Sequence, residues 1–261
     1  KEYFFNHRPE YVFLAAAKAG GILVNNHKRA EFIYENIVIQ SNIIHNSYLV
    51  GTKKLIFLGS SCIYPKECLQ PIKEDYLLSG PLEKTNEPYA VAKIAGIKMC
   101  DSYNKQYGCN FVTVMPSNLY GLNDNFNLET GHVLPSLLHK VHLAKKNNLK
   151  HVEVWGTGKP RREFLNVTDL SDACILLMKK NNLKYDCYNV GTGFDVTIEE
   201  LTKIIFEVVG YEGKFIFNSK MPDGTFQKLL HIDRITAMGW KANIELKQGI
   251  QEVYQNNFLT S

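Results

Sequence analysis

Lys54-Leu55-Ile56-Phe57-Leu58-Gly59-Ser60-Ser61-Cys62-Ile63-Tyr64-Pro65 changes character halfway along. The first five residues form an apolar run without polar alternation, which predicts a strand buried on both faces. Glycine, two hydroxyls and a thiol follow, so the strand delivers polar chemistry at its carboxyl end. Phe111–Met115 repeats the plan and delivers Pro116-Ser117-Asn118-Leu119-Tyr120-Gly121. Upstream, Tyr11–Ala17 predicts another buried strand, running into Gly20-Gly21. Between the strands lie helical patterns. One is carried by Phe32, Ile33, Ile37, Ile43, Ile44 and Tyr48 and stopped by Gly51; the other begins near Pro88 and runs towards Gly108. Strands alternating with helices predict an α/β fold, a doubly wound parallel sheet with right-handed crossovers. Ligands of such sheets bind beyond the carboxyl ends of the strands, where these polar loops fall.

After Gly121 the alternation loosens. The sequence predicts a polar loop from Asn123 to Gly131, helices over 132–146 and 168–180, and strands at 152–155 and 187–190. A helix at 198–209, a strand at 214–218 and a closing helix from Lys247 suggest a smaller C-terminal α/β lobe.

Of the 261 residues, 45% are apolar and 21% charged, and the net charge of +4 is too small and too scattered to argue for nucleic acid. No apolar run reaches the length of a membrane span, and no leader pattern is present, so the chain reads as cytoplasmic. Six cysteines without Cys-x-x-Cys pairing fit reduced thiols. His139 and His142 have no carboxylate at ligand spacing, and no metal is expected.

The helix that begins at Glu87-Pro88-Tyr89-Ala90-Val91-Ala92-Lys93 puts a phenol and an ammonium one turn apart on one face. Asn86 or Thr85 can cap it, and proline suits its first turn. A lysine over a tyrosine favours phenolate, bringing the tyrosine closer to use in proton transfer at neutral pH. Three elements thus converge on one crevice, bringing Ser60 and Cys62, Tyr89 with Lys93, and Ser117 with Asn118.

These stretches, with Thr85–Gly96 and Trp155-Gly156-Thr157-Gly158-Lys159-Pro160-Arg161-Arg162-Glu163-Phe164-Leu165, resemble the extended short-chain dehydrogenase/reductase family over essentially the whole chain. Within it they are most similar to the branch that converts GDP-4-dehydro-6-deoxy-D-mannose to GDP-L-fucose. The resemblance implies a Rossmann-type domain at residues 1–120, completed by about 163–192, with a substrate lobe from 121–162 and 193–261. It implies NADPH as cofactor, a GDP-sugar as substrate and a homodimer formed through helices including that of Tyr89. Cys62 and His132 match the acid/base pair that inverts C3 and C5. Tyr89 matches the proton donor at C4, Lys93 its partner on the nicotinamide ribose, and Ser60 the hydroxyl on the carbonyl. Leu58, Gly59, Ser60, Ser61, Lys93, Pro116, Ser117, Asn118, Leu119 and His132 match cofactor contacts. Asn118, Lys140, Trp155, Arg162 and Asp223, the last in Pro222-Asp223-Gly224-Thr225, match substrate contacts.

Members of that family open with a strand, a glycine-rich turn at a helix N-terminus and a second strand that reads the ribose. These residues contain no such turn, and Gly20-Gly21 follows a later strand of the order. Tyr11–Ala17 is therefore expected to be the fourth strand, left as an apolar edge, and residues 1–261 by themselves are expected to bind NADPH weakly. Two other readings follow: a fragment that binds GDP-sugar and at most epimerises it, and another nucleotide-sugar epimerase, dehydratase or reductase.

Overall fold

A computed structural model describes residues 1–221 and 223–259. The elements in chain order are α1 (Glu2–His7), β1 (Tyr11–Leu14), α2 (Ile22–His27), α3 (Arg29–Val50), β2 (Lys54–Leu58), α4 (Glu87–Tyr107), β3 (Phe111–Pro116), β4 (Asn118–Tyr120) and α5 (Val133–Lys146). They continue with β5 (His151–Trp155), β6 (Arg161–Arg162), β7 (Phe164–Asn166), α6 (Val167–Lys179), β8 (Cys187–Val190), β9 (Val196–Thr197) and α7 (Ile198–Val209). The last are β10 (Lys214–Asn218), β11 (Gln227–Lys228), α8 (Asp233–Thr236) and α9 (Leu246–Tyr254).

The main sheet runs β1-β2-β3-β8, every pair parallel. Strand pleating sends alternate residues to opposite faces, and β2 shows the division. Leu55 and Phe57 pack with Ile44, Ile94 and Ile97 of α3 and α4, whereas Ile56 packs with Leu170, Ala173 and Leu177 of α6. Helices on both faces make the sheet doubly wound, as the alternating pattern predicts. At the base of β2, the buried Lys54 ammonium donates to the carbonyls of Leu177 and Lys180, which α6 leaves open at its C-terminus.

A third core gathers Leu134, Leu138 and Val141 of α5, Val152 and Val154 of β5, Leu201 and Ile205 of α7, and Ile250 and Val253 of α9. β5 and β10 pair in parallel beneath these helices. The link back to the main sheet is made by short strands. β4 pairs with β7, and β6 is flanked by β9 and β11.

Three expectations need correction. The strand predicted over Tyr11–Ala17 ends at Leu14 and is not buried on both faces, for Tyr11 and Phe13 are about half exposed at 54% and 52%. Its one partner among the described residues is β2, so it forms the sheet edge, as the order of motifs predicts. A helix at Ile22–His27 precedes α3, where the pattern suggested none. The loop read after Met115 contains β4, whose pairing comes from residues some 45 positions away.

Candidate active site

The three carboxyl-end segments do meet. Ser60, in extended backbone after β2, accepts a hydrogen bond from the Cys62 N–H at 3.2 Å and starts a single 3-10 turn over Ser61–Ile63. The same hydroxyl is close enough to the Tyr89 phenol to lower its pKa. Gly59 makes this possible, since its N–H donates to the Val114 carbonyl and any Cβ there would sit 3.3 Å from that oxygen and from Met115 Sδ. Ser60, Cys62 and Tyr89 therefore form one cluster between β2 and the start of α4. Asn86 occupies the N-cap position of that helix without a side-chain capping bond, and Pro88 lies in its first turn.

The electrostatics of Tyr89 differ from the sequence expectation. Burial, reinforced by charge on Cys62, pushes the phenol well above its ordinary pKa, with the Ser60 hydrogen bond opposing. Lys93 does not lower it. The lysine Nζ donates to the Leu58 carbonyl at 2.7 Å, lies 4.8 Å from the Phe57 ring centroid and stays 6.0 Å from that of Tyr89. Its own pKa is pushed down to about 8 by burial. Tyr89 thus holds its proton at neutral pH, which suits a donor rather than a base.

Cys62 behaves oppositely. Burial pulls its pKa up, but the charge of Lys228, hydrogen bonds with Ser60 and Lys228, and the charge of Arg162 together hold it below the ordinary thiol value. Lys228 Nζ lies 3.3 Å from the sulfur. His132 is the N-cap residue of α5. Desolvation lowers its pKa, Lys228 adds to that, and Asp124 opposes it. The charge of Lys228 therefore acts on both the thiol and the imidazole. The loop that precedes His132 is pinned by Gly21, whose N–H donates to the Thr130 carbonyl and whose Cβ position would lie 2.7 Å from the Gly131 carbonyl. Gly20-Gly21 is thus a packing contact.

The expected substrate residues form a second group. Arg162 donates to the carbonyls of Arg161, Phe226 and Asp223. The Asp223 carboxylate accepts from the Thr157 N–H at 2.7 Å and hydroxyl at 2.8 Å. It thereby holds the turn after β5, while Pro222 lies outside the described residues. Trp155 is 39% exposed at the end of β5. Lys140 stands over its ring at 5.6 Å and donates to the Glu153 carbonyl, two turns below His132. His139 bonds the Phe126 carbonyl and His142 the Tyr254 hydroxyl. No group of His, Cys, Asp and Glu among the described residues could hold a metal ion, and no described helix is long and apolar enough to cross a membrane.

The residues expected to meet a dinucleotide fit its nicotinamide-ribose end. Ser117 is buried, and its hydroxyl has no partner among the described residues. It follows β3, and its N–H donates to the Val190 carbonyl. Pro116 pairs with Val190 in the sheet, Ser61 is buried, and Leu119 pairs with Leu165. Asn118 donates through both its N–H and its side-chain amide to the Glu163 carbonyl, so its amide is a strand clamp.

Three residues escaped the sequence reading. Lys228 sits on a two-residue strand that carries no pattern of its own. Asp124 hides in a polar loop. Glu163, fully buried, accepts from the N–H groups of Gly193 and Leu230 and joins β6, β8 and β11. A carboxylate set between Arg162 and the apolar Phe164-Leu165 was its available signal.

The chain is 50% identical to "GDP-L-fucose synthase 1" of Arabidopsis thaliana over 255 residues, covering 97% of this chain and 78% of that one. A solved GDP-6-OMe-4-keto-L-xylo-heptose reductase from Campylobacter jejuni superposes with a TM-score of 0.92 at 41% identity, over 100% of this chain and 85% of that one. A GDP-L-fucose synthetase from Naegleria fowleri, solved bound to NADP, gives 0.89 at 28% identity, over 100% and 82%. The model of the NAD dependent epimerase/dehydratase family matches residues 1–191, and the chain belongs to that family.

Proposed function

We propose that this chain takes part in converting GDP-4-dehydro-6-deoxy-D-mannose to GDP-L-fucose, inverting C3 and C5 and reducing C4 with NADPH. The observation that carries the reading is the meeting of two proton-transfer systems on one crevice. One is Cys62, 3.3 Å from the Lys228 ammonium, with His132, on which the charge of the same lysine acts; the other is Tyr89, whose raised pKa Ser60 opposes. A simple reductase needs only the second.

A ketone at C4 acidifies the hydrogens on C3 and C5. Removal of one breaks a C–H bond and moves its electron pair towards the C4 oxygen, and return of a proton to the opposite face inverts the carbon. Cys62 and His132 supply that pair of groups. Ser60 holds the C4 oxygen by its hydroxyl. NADPH, when bound, supplies the hydride to C4. Tyr89, kept protonated by its surroundings, gives its proton to that oxygen, while Lys93 and Ser117 hold the nicotinamide-ribose end. Arg162 is the cation for the diphosphate, and Trp155 with Lys140 forms a flat wall for the rest of the nucleotide sugar.

In this reading residues 1–120 with 163–192 hold the cofactor, and 121–162 with 193–261 hold the sugar nucleotide. A homodimer would form through α3 and α4, which expose Tyr34, Val38, Leu49, Val91 and Tyr107. Six free thiols suit a cytoplasmic setting.

The test is loss of NADPH absorbance with GDP-4-dehydro-6-deoxy-D-mannose, run beside solvent deuterium incorporation at C3 and C5. Residues 1–261 would be compared with a chain carrying a glycine-rich strand-turn-helix ahead of them. Exchange at both carbons together with NADPH consumption supports the proposal. NADPH consumption with no exchange, or turnover confined to a GDP-4-keto-heptose, overturns it.

A further inference from the structure

Cys62 and Lys228 are 166 residues apart in sequence, and the structure brings the ammonium to 3.3 Å from the sulfur. The placement is built from several sides. Glu163 N–H donates to the Lys228 carbonyl, and the Glu163 carboxylate accepts from Leu230 N–H two residues on. Gln70 clamps the other edge, donating to the Gln227 carbonyl and accepting from Leu229 N–H. The strand that carries Lys228 also pairs with β6 through Arg161 and Arg162. The backbone of Lys228 thus has little freedom to withdraw its side chain.

Four groups face the thiol. They are Lys228 from β11, Arg162 from β6, Tyr89 from α4 and Ser60 from its own turn. Of the two cations, Arg162 spends its donors on the carbonyls of Arg161, Phe226 and Asp223. Lys228 aims its donor at the sulfur. The charge of Lys228 also reaches Cys68 and His132.

We propose that Lys228 is a positioning residue that holds Cys62 as a thiolate, making it the base of the epimerising pair. This deepens the function proposed above and rests on it for the word base, but not for the state of the thiol. With the sulfur ionised, it takes the proton from carbon. The C–H electron pair moves towards the C4 oxygen, an S–H bond forms, and His132, entering the step as imidazolium, gives its N–H proton to the carbon from the other face and is left neutral. The same positive charge disfavours imidazolium at His132, with Asp124 opposing. Removing it shifts both groups towards their protonated forms.

The experiment reads the free enzyme. Alkylation of Cys62 by iodoacetamide is followed across pH, with the Cys62 peptide quantified by mass spectrometry. The wild-type midpoint is expected below the ordinary thiol value of about 8.5. Lys228→Met should raise it by about one pH unit, the low end for losing an opposite charge at this distance, and slow alkylation at neutral pH roughly tenfold. Lys228→Arg, which keeps the charge, should restore most of the shift. In turnover, Lys228→Met should lower kcat for deuterium exchange at C3 and C5 more than it raises KM.

An unchanged midpoint in Lys228→Met overturns the proposal. An unchanged midpoint with a raised KM for the GDP-sugar assigns the lysine to the diphosphate instead. If Lys228→Met does not fold, Lys228→Gln provides the neutral side chain. A wild-type midpoint at or above about 8.5 overturns the proposal without any variant. Because the alkylation needs no substrate, its outcome is separate from that of the turnover assay. A lowered thiol midpoint without epimerisation would sink the function and leave the thiolate standing.

Discussion

At the scale of single residues, the site divides its proton chemistry by environment. Tyr89 keeps its proton because burial dominates it, whereas Lys228, the Ser60 hydrogen bond and Arg162 outweigh burial at Cys62 and hold its thiol below the ordinary value. This division predicts separable variants. Tyr89→Phe should cut C4 reduction roughly a hundredfold to ten-thousandfold, the usual worth of a general acid, while deuterium exchange at C3 and C5 continues. Cys62→Ser should stop the exchange; equal loss of both activities in either variant would merge the two systems. Glu163 yields a stability prediction. Burial raises its pKa from 4.5 to about 6 despite the donors of Leu230, Gly193 and Thr192. A carboxyl whose folded pKa is raised stabilises the fold below its unfolded value, and that contribution is lost as pH rises through the folded one. Unfolding free energy should therefore fall by about 2 kcal/mol between pH 4.5 and about 6 from this group alone. In Glu163→Gln that slope should vanish in urea melts taken across the window.

At the scale of elements, α4 is held against β2 by an absent side chain. A Cβ on Gly96 would lie 2.5 Å from Cζ of Phe57, and the same ring lies beneath Lys93. Gly96→Ala gains about 1 kcal/mol of helix propensity but overpacks a rigid ring, which typically costs about 1–3 kcal/mol. The clash should win, lowering Tm by roughly 2–4 °C per kcal/mol of net loss and displacing Lys93 from the Leu58 carbonyl. A Tm equal to or above wild type would show that α4 can slide. The same elements show what the sequence made legible. β2 and β3 announced themselves as apolar runs, and α3, α4 and α7 end on Gly51, Gly108 and Gly210, all in the left-handed region that glycine tolerates best. The strands β4, β6, β7, β9 and β11 have only two or three residues each, too few for any period. Their pairing is decided by distant partners, so the place of Lys228 could not be read locally. Lys93 was legible as a neighbour of Tyr89 but not as a donor to Leu58, because its target belongs to another strand.

At the scale of the whole molecule, the described sheet ends on β1, with Tyr11 and Phe13 facing outward and no strand beyond. An exposed apolar edge is a template for pairing between molecules. A polypeptide of residues 1–261 should show concentration-dependent light scattering, and Phe13→Lys should reduce it; scattering unaffected by that change would move the association elsewhere, with the exposed faces of α3 and α4 the first to test. The short sheet of β6, β9 and β11 has a different consequence. It gathers chain from three distant places, and contacts of such high sequence separation form only after long loops have closed. The reactivity of Cys62 is therefore a clock for folding. While the chain is collapsed but β11 is undocked, Cys62 should behave as an ordinary thiol, and its acidity should rise only as the last long-range pairing locks. Pulsed alkylation during refolding would read the completion of the active site from a single sulfur.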